Sequence, residues 1–174
     1  MYAPQGIGVV CLSEKLAQQV DHFLRGGEMV ESVSADTYVF RSAPWRFEAG
    51  TPNAAGAVGL ARAFELLYSD VHWNNLHTLS RILYDVVSES GAIVYSPKDI
   101  DIPLVSFSVP NMHPDDVALA LDKKDIAVRS GYLCAQPIVS TIHRNGVVRA
   151  SAGLWNTRKD IEKFGEALNK IVQK

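Results

Sequence analysis

The chain has 174 residues, of which 47% are hydrophobic and 21% charged, with a formal net charge of −2 at pH 7; this is an ordinary globular composition, able to bury a core in one domain or one and a half. The near-neutral balance gives no electrostatic reason to expect DNA, RNA or an anionic membrane as a partner, and no apolar run approaches the ~20 residues of a membrane span. "MYAPQGIGVVCLSEK" carries no basic stretch ahead of an apolar one, so no signal peptide is expected, and two cysteines make no disulfide framework, which points to a reducing cytoplasm.

The chain opens with a Pro/Gly turn and then reads as an apolar strand from Ile7 to Leu12, which places Cys11 in a strand. Residues 13–24 read as a short helix with Ser13 as N-cap and Glu14 in the first turn. Residues 25–53 show no sustained period and are rich in Gly, Ser and Pro, yet Tyr38, Phe40, Trp45 and Phe47 argue against disorder. Asn53 precedes a helix with Val58, Ala61, Phe64, Leu67 and Tyr68 on one face. A second helix over about 72–90 is expected to bury Trp73, Leu76, Leu79, Leu83 and Val86 and to stop at Gly91. "AIVY" and "LVSFSV" are strands, the second alternating Val105, Phe107 and Val109 against Leu104, Ser106 and Ser108.

Pro114 opens a helix whose Asp115 and Asp116 favour its N-terminal dipole. "DIAVR" and "VVRAS" read as two more strands, and Thr157 with Asp160 makes a capping-box start to a last helix that buries Ile161, Phe164, Leu168, Ile171 and Val172. From residue 72 onward the expected order is therefore α-β-β-α-β-(loop)-β-α, an α+β sandwich with helices on one face of a small sheet.

Cys134 sits in "AVRSGYLCAQP", at what reads as the tip of a turn. A loop cysteine can be without a role, but Arg129 lies five residues earlier and Ser130-Gly131 give the backbone freedom of a turn. Reactive thiols sit partly exposed beside positive charge. Arg129 and Arg149 both lie at expected strand ends, where surface charge is the ordinary explanation. Arg149 in "GVVRASAG" has apolar residues before it and small ones after, a setting in which a guanidinium takes a carboxylate or phosphate bidentately. "RFEAGTPN", 46–53, is either a turn into the Asn53 cap or an anion site formed by Thr51 and backbone N–H groups. His143, nine residues after Cys134, is either a loop residue or one member of a Cys–His pair. The histidines and cysteines have no zinc spacing, and the sequence has no GxSxG, Walker A or GxGxxG motif.

Five segments, "MYAPQGIGVV", "FLRGGEMVESVS", "PWRFEAGTPN", "IAVRSGYLCAQP" and "VVRASAGLWNT", occur in one order and span nearly the whole chain. Together they resemble the C-terminal portion of a type II, SufS-like cysteine desulfurase, a fold-type-I enzyme of the class-V aminotransferase-like group that depends on pyridoxal phosphate (PLP). The resemblance implies an α/β fold: the C-terminal part of a PLP-dependent transferase. Residues 1–70 would form a partial large-domain edge with dimer-interface loops, and residues 71–174 a small α+β domain with helices on one face of a mainly antiparallel sheet.

The same resemblance implies roles for single residues. Cys134 matches the nucleophile that takes sulfur from cofactor-bound L-cysteine, leaving L-alanine, and becomes a persulfide. Arg149 matches the arginine that binds the substrate carboxylate, and Arg129 the arginine leading into the cysteine loop. Thr51, beside Gly50, matches the threonine that reaches a neighbouring subunit's PLP phosphate, and Gly26, Gly27 and Glu28 match the dimer-interface loop. No metal is implied. The expected partners are a second copy of the chain or an N-terminal desulfurase half, together with a sulfur-acceptor protein that serves iron–sulfur cluster assembly or other sulfur transfer.

In the family the Schiff-base lysine stands in a Ser-Gly-His-Lys motif just before "MYAPQGIG". That motif is not in this sequence, and none of Lys15, Lys98, Lys123, Lys124, Lys159, Lys163, Lys170 and Lys174 occupies the matching position. The expectation is therefore that this chain alone neither holds PLP nor turns over cysteine. Other readings are one half of a split enzyme, a PLP-free sulfur-acceptor or regulatory module, and a hydrolase using Cys134 and His143.

Overall fold

The computed structural model describes residues 2–68 and 70–173. Met1, which heads the first matched segment, Ser69, beside the expected boundary at residue 70, and Lys174 lie outside the described residues. The chain divides into two compact units, Met1–Tyr68 and Ser69–Lys174.

In the first unit, helix α1 (Glu14–Gln19) starts where the Ser13 side chain accepts from the Leu16 N–H at 3.3 Å. It ends at Val20, which is already extended, rather than at residue 24. Only Ala17 is buried, and a helix of this length needs packing to extend it. The aperiodic stretch contains an antiparallel hairpin, β1 (Val30–Val33) with β2 (Tyr38–Phe40), closed by Ser34 N–H donating to the Thr37 carbonyl at 2.8 Å. Strands of four and three residues are too short to show alternation in sequence.

Ile7 to Leu12 forms no strand. β1 and β2 pair only with each other, so the run has no ladder; Val10 is 80% exposed and Cys11 is exposed. Helix α2 (Ala54–Leu67) begins as expected at Asn53, whose Oδ1 accepts from the Gly56 N–H at 2.9 Å. Its buried face is Gly56, Leu60 and Ala63, whereas Val58 and Phe64, and Tyr68 just beyond the helix, are exposed. "AAGAVGLARAF" is apolar almost all round, so periodicity alone could not select the buried face.

The second unit is built in the order α3 (Asp70–Glu89), β3 (Ile93–Val94), β4 (Leu104–Ser108), α4 (Pro114–Asp122), β5 (Arg129–Gly131), α5 (Gln136–Ile142), β6 (Val147–Ser151), α6 (Arg158–Val172). This is the expected order, with a short helix inside the expected loop. The sheet order is β3-β4-β6-β5, antiparallel throughout. Val105 and Phe107 of β4 and Val148 and Ala150 of β6 meet Leu79, Leu83 and Val87 of α3, Val117 and Leu121 of α4, and Ile161, Phe164 and Leu168 of α6 in one buried core. That places the helices on one face of the sheet, as the alternation in "LVSFSV" implied. On α3 the expected Trp73 is exposed, and the buried residue near the C-terminal end is Val87 rather than Val86.

The strand expected over "DIAVR" is displaced. Asp125 takes a left-handed turn (φ 58°) after α4, and pairing begins only at Arg129, which therefore opens the strand instead of ending it. At the start of α6 the Thr157 backbone N–H and hydroxyl donate to Asp160 Oδ2 at 2.7 and 3.0 Å. These bonds, the backbone one first, hold the Asp160 carboxyl below the ordinary aspartate range. A lowered folded-state value means that the cap's contribution is present above the unfolded value of about 3.9 and is lost as pH falls through the folded value. Asp160→Ala is therefore expected to lower the thermal midpoint at neutral pH and to approach the parent's midpoint in strong acid. A deficit that stays constant with pH would remove the carboxylate from the account.

Candidate active site

Three residues stand in a row across the sheet: Ser106 of β4 pairs with Arg149 of β6, which pairs with Arg129 of β5. Their chain neighbours Val105, Phe107, Val148 and Ala150 point into the core, so by strand alternation the row lies on the face away from the helices. The two arginines, 20 residues apart in sequence, are thus directly opposite one another. Like charges in that register destabilise a sheet unless an anion sits between or beside them. Arg149 is half-buried, and its Nε is a buried donor with no hydrogen-bond partner among the described residues. An unsatisfied buried donor costs free energy until an acceptor reaches it.

Beyond Gly131 the chain turns sharply. Leu133 and Cys134 both adopt left-handed backbone angles (φ 56° and 62°), each of which costs a non-glycine residue on the order of 1–3 kcal/mol. Contacts on either side of the turn hold it there. Ala135 N–H donates to the Tyr132 carbonyl at 2.8 Å, Tyr132 Oη to the Arg144 carbonyl at 3.0 Å, and Ser130 Oγ to Asp115 Oδ1 at 2.6 Å. Gly146, at φ 85°, lies against Gly131, where a Cβ would come within 2.5 Å of the Gly131 carbonyl carbon. The result is an exposed Cys134 whose sulfur accepts a hydrogen bond from Arg129 Nη2 at 2.9 Å.

Of the residues singled out from sequence, the structure brings Cys134, Arg129 and Arg149 together in this unit, the first two by a hydrogen bond and the second two by strand pairing. In the first unit it joins the other two groups into one cluster. Gly50 N–H donates to the Gly27 carbonyl at 3.0 Å, Gly26 packs against Gly50, and Arg41 Nη1 donates to the Glu28 carbonyl at 3.2 Å. Thr51 is exposed and its hydroxyl is free of hydrogen bonds among the described residues. His143 is not joined to Cys134; the hydrogen bond to the sulfur comes from Arg129, and His143 instead ends α5.

Sequence reading missed the Arg129–Arg149 register and the Ser130–Asp115 tie. The first had a signal, since both arginines adjoin apolar strand residues; the second joins residues 15 apart and had none. Two cavities of the second unit lie apart from this constellation. One of about 640 Å³ lies between α4 and α6, and one of about 390 Å³ lies beside Val128, Ala150 and Phe164. Among the described residues no group of three or more His, Cys, Asp or Glu is arranged to hold a metal, and no helix is long and apolar enough to cross a membrane.

Both cysteines are exposed, so Cys11 is not sheltered by the strand expected over residues 7–12, and what sets Cys134 apart is its contact with Arg129. Under limiting iodoacetamide at neutral pH, Cys134 is expected to be alkylated faster than Cys11, and Arg129→Ala to remove most of that lead. Equal rates in the parent protein, read by timed peptide mass spectrometry, would show that the guanidinium does not activate the thiol.

The aminotransferase class-V family model matches residues 1–164. The chain belongs to the class-V aminotransferase family. It is 37% identical over 178 aligned residues to a probable cysteine desulfurase of Halalkalibacterium halodurans, covering 99% of this chain and 43% of that protein. The apo structure of a cysteine desulfurase from Thermococcus onnurineus NA1 superposes with a TM-score of 0.90 at 37% identity, covering 98% of this chain and 44% of that one. The S-sulfonic acid structure of the cysteine desulfurase CsdA from Escherichia coli gives 0.88 at 32% identity, covering 99% and 44%. The chain thus spans less than half the length of these class-V relatives.

Proposed function

We propose that this chain carries the sulfur-accepting half of a cysteine desulfurase site, acting on L-cysteine in the cytoplasm. The observation that carries the reading is the Arg129–Cys134 hydrogen bond on an exposed, left-handed turn. In this reading Cys134 is the nucleophile, Arg129 orients its sulfur and offsets the thiolate's charge, and Arg149 holds the substrate carboxylate. Gly50 and Thr51 meet the phosphate of a neighbouring subunit's PLP, and Gly26, Gly27 and Glu28 contribute to a dimer interface. Residues 1 to about 70 complete the edge of a large domain, and residues 71–174 form the small domain.

The residues present fit PLP-dependent chemistry at two separate places, a carboxylate site in the second unit and a phosphate site in the first. Arg149 offers an unpartnered buried Nε to a carboxylate, and Thr51 offers a free hydroxyl to a phosphate. PLP, when bound, supplies the electron sink that weakens bonds at the substrate Cα and Cβ. The chain's own part is simpler. Arg149 fixes the substrate by its carboxylate, and the Cys134 thiolate attacks the substrate sulfur. An S–S bond forms as the C–S bond breaks, the carbon keeps the electron pair and is protonated to give L-alanine, and the sulfur remains on Cys134 as a persulfide. An exposed turn suits this role, because the persulfide must next meet a sulfur-acceptor protein.

The test is complementation. A polypeptide carrying the lysine-bearing N-terminal portion of a relative, mixed with this chain and PLP, is expected to release L-alanine from L-cysteine, while neither part does so alone. Association and PLP binding without alanine would reject the reading.

A further inference from the structure

One cavity of the second unit plays no part in the chemistry above. It is a groove of about 640 Å³ between α4 and α6, with Leu119, Ile126 and Ile171 among its apolar lining. Lys123, Lys124, Lys163 and Lys170 surround that lining together with Asp116 and Glu166, which is a local charge of +2 (four minus two) on a chain whose net charge is −2. None of the four lysines is in an ion pair among the described residues; Lys163 has only a Coulombic pull toward Asp160. Leu119 is 54% exposed amid these cations. A solvated lysine face is common on helices and a single exposed leucine is ordinary, but here Leu119 lies in a concave groove that Ile126 and Ile171 also line.

We infer that this groove docks an acidic amphipathic helix of a partner polypeptide. Apolar anchors at i, i+3 or i+4 and i+7 would seat on Leu119 and Ile171, with flanking Glu and Asp side chains meeting the lysines. A helix suits the site better than an anionic lipid surface. The groove is concave, which fits the cylinder of a helix better than the flat plane of a bilayer, and a basic side chain of such a helix can meet Asp116 or Glu166. Cys134 and Arg149 do not line the groove, so its occupancy can be judged independently of the desulfurase reading.

The probe is a fluorescein-labelled peptide with leucine at i, i+3, i+4 and i+7 and glutamate and alanine elsewhere. Its controls are a scrambled peptide of the same composition and a version with lysine replacing glutamate. Fluorescence anisotropy with the whole chain is expected to show saturable binding of the acidic amphipathic peptide that weakens as salt rises. The Lys124→Glu/Lys163→Glu pair is expected to lose affinity by ~10-fold or more. The milder Lys124→Gln/Lys163→Gln pair should move the same way by less, with an unchanged thermal midpoint. No saturable binding, equal binding of the scrambled peptide, or an affinity unmoved by either lysine pair would overturn the inference. So would binding only to phosphatidylserine vesicles, which would assign the face to lipid.

Discussion

In the complemented complex, Cys134→Ser is expected to lower sulfur release from L-cysteine by at least ~10³-fold, the order of loss seen when a sole nucleophile is removed. A hydroxyl does not form the S–S bond that carries the sulfur away, and the Cys134 sulfur is the one that Arg129 contacts. Association of the parts and PLP absorbance are expected to be retained, because the Cys134 side chain is exposed and contributes little to the core. A serine variant that releases sulfur at the parent rate would remove Cys134 from the mechanism. Residual turnover traced to Cys11, which is also exposed, would do the same.

Arg149→Ala is expected to act on binding more than on the chemical step. Truncating one partner of a buried, hydrogen-bonded charge pair costs ~2–5 kcal/mol, which corresponds to roughly 30-fold to several-thousand-fold in affinity. The loss should appear mainly as a raised KM, with kcat less affected. The strand itself has reason to tolerate the change: alanine removes one of two like charges that face each other across β5 and β6 and leaves no orphaned Nε. A thermal midpoint that is unchanged or raised, together with a large rise in KM, is the expected signature. A fall in stability with unchanged KM would make Arg149 a structural residue.

The second unit was largely legible in the sequence, because its elements carry strong local signals. "LVSFSV" alternates, Pro114 with two aspartates opens α4, and Ile161, Phe164 and Leu168 repeat at helical spacing. All three of those α6 residues are buried as expected. The first unit was less legible for a physical reason. Val10 and Tyr68 are apolar yet 80% and 91% exposed, so hydrophobicity there does not report burial within the described chain. The same mismatch turned α2 to the wrong face and made a strand of residues 7–12.

At the site, residue types and spacing pointed to Cys134, Arg129 and Arg149, but not to how they meet. The left-handed turn at Leu133-Cys134 and the one-for-one pairing of Arg129 with Arg149 depend on strand register. A strand placed over residues 125–129 instead of Arg129–Gly131 would have set that register differently.

The most direct measurement is the location of the transferred sulfur after a single turnover. The complemented complex is mixed with PLP and a limiting amount of L-cysteine, quenched with an alkylating agent and mapped by peptide mass spectrometry. One added sulfur is expected on the peptide containing Cys134, formed in proportion to alanine, with markedly slower formation in Arg129→Ala. Alanine formed with the added sulfur on Cys11, or with no sulfur on this chain at all, would contradict it.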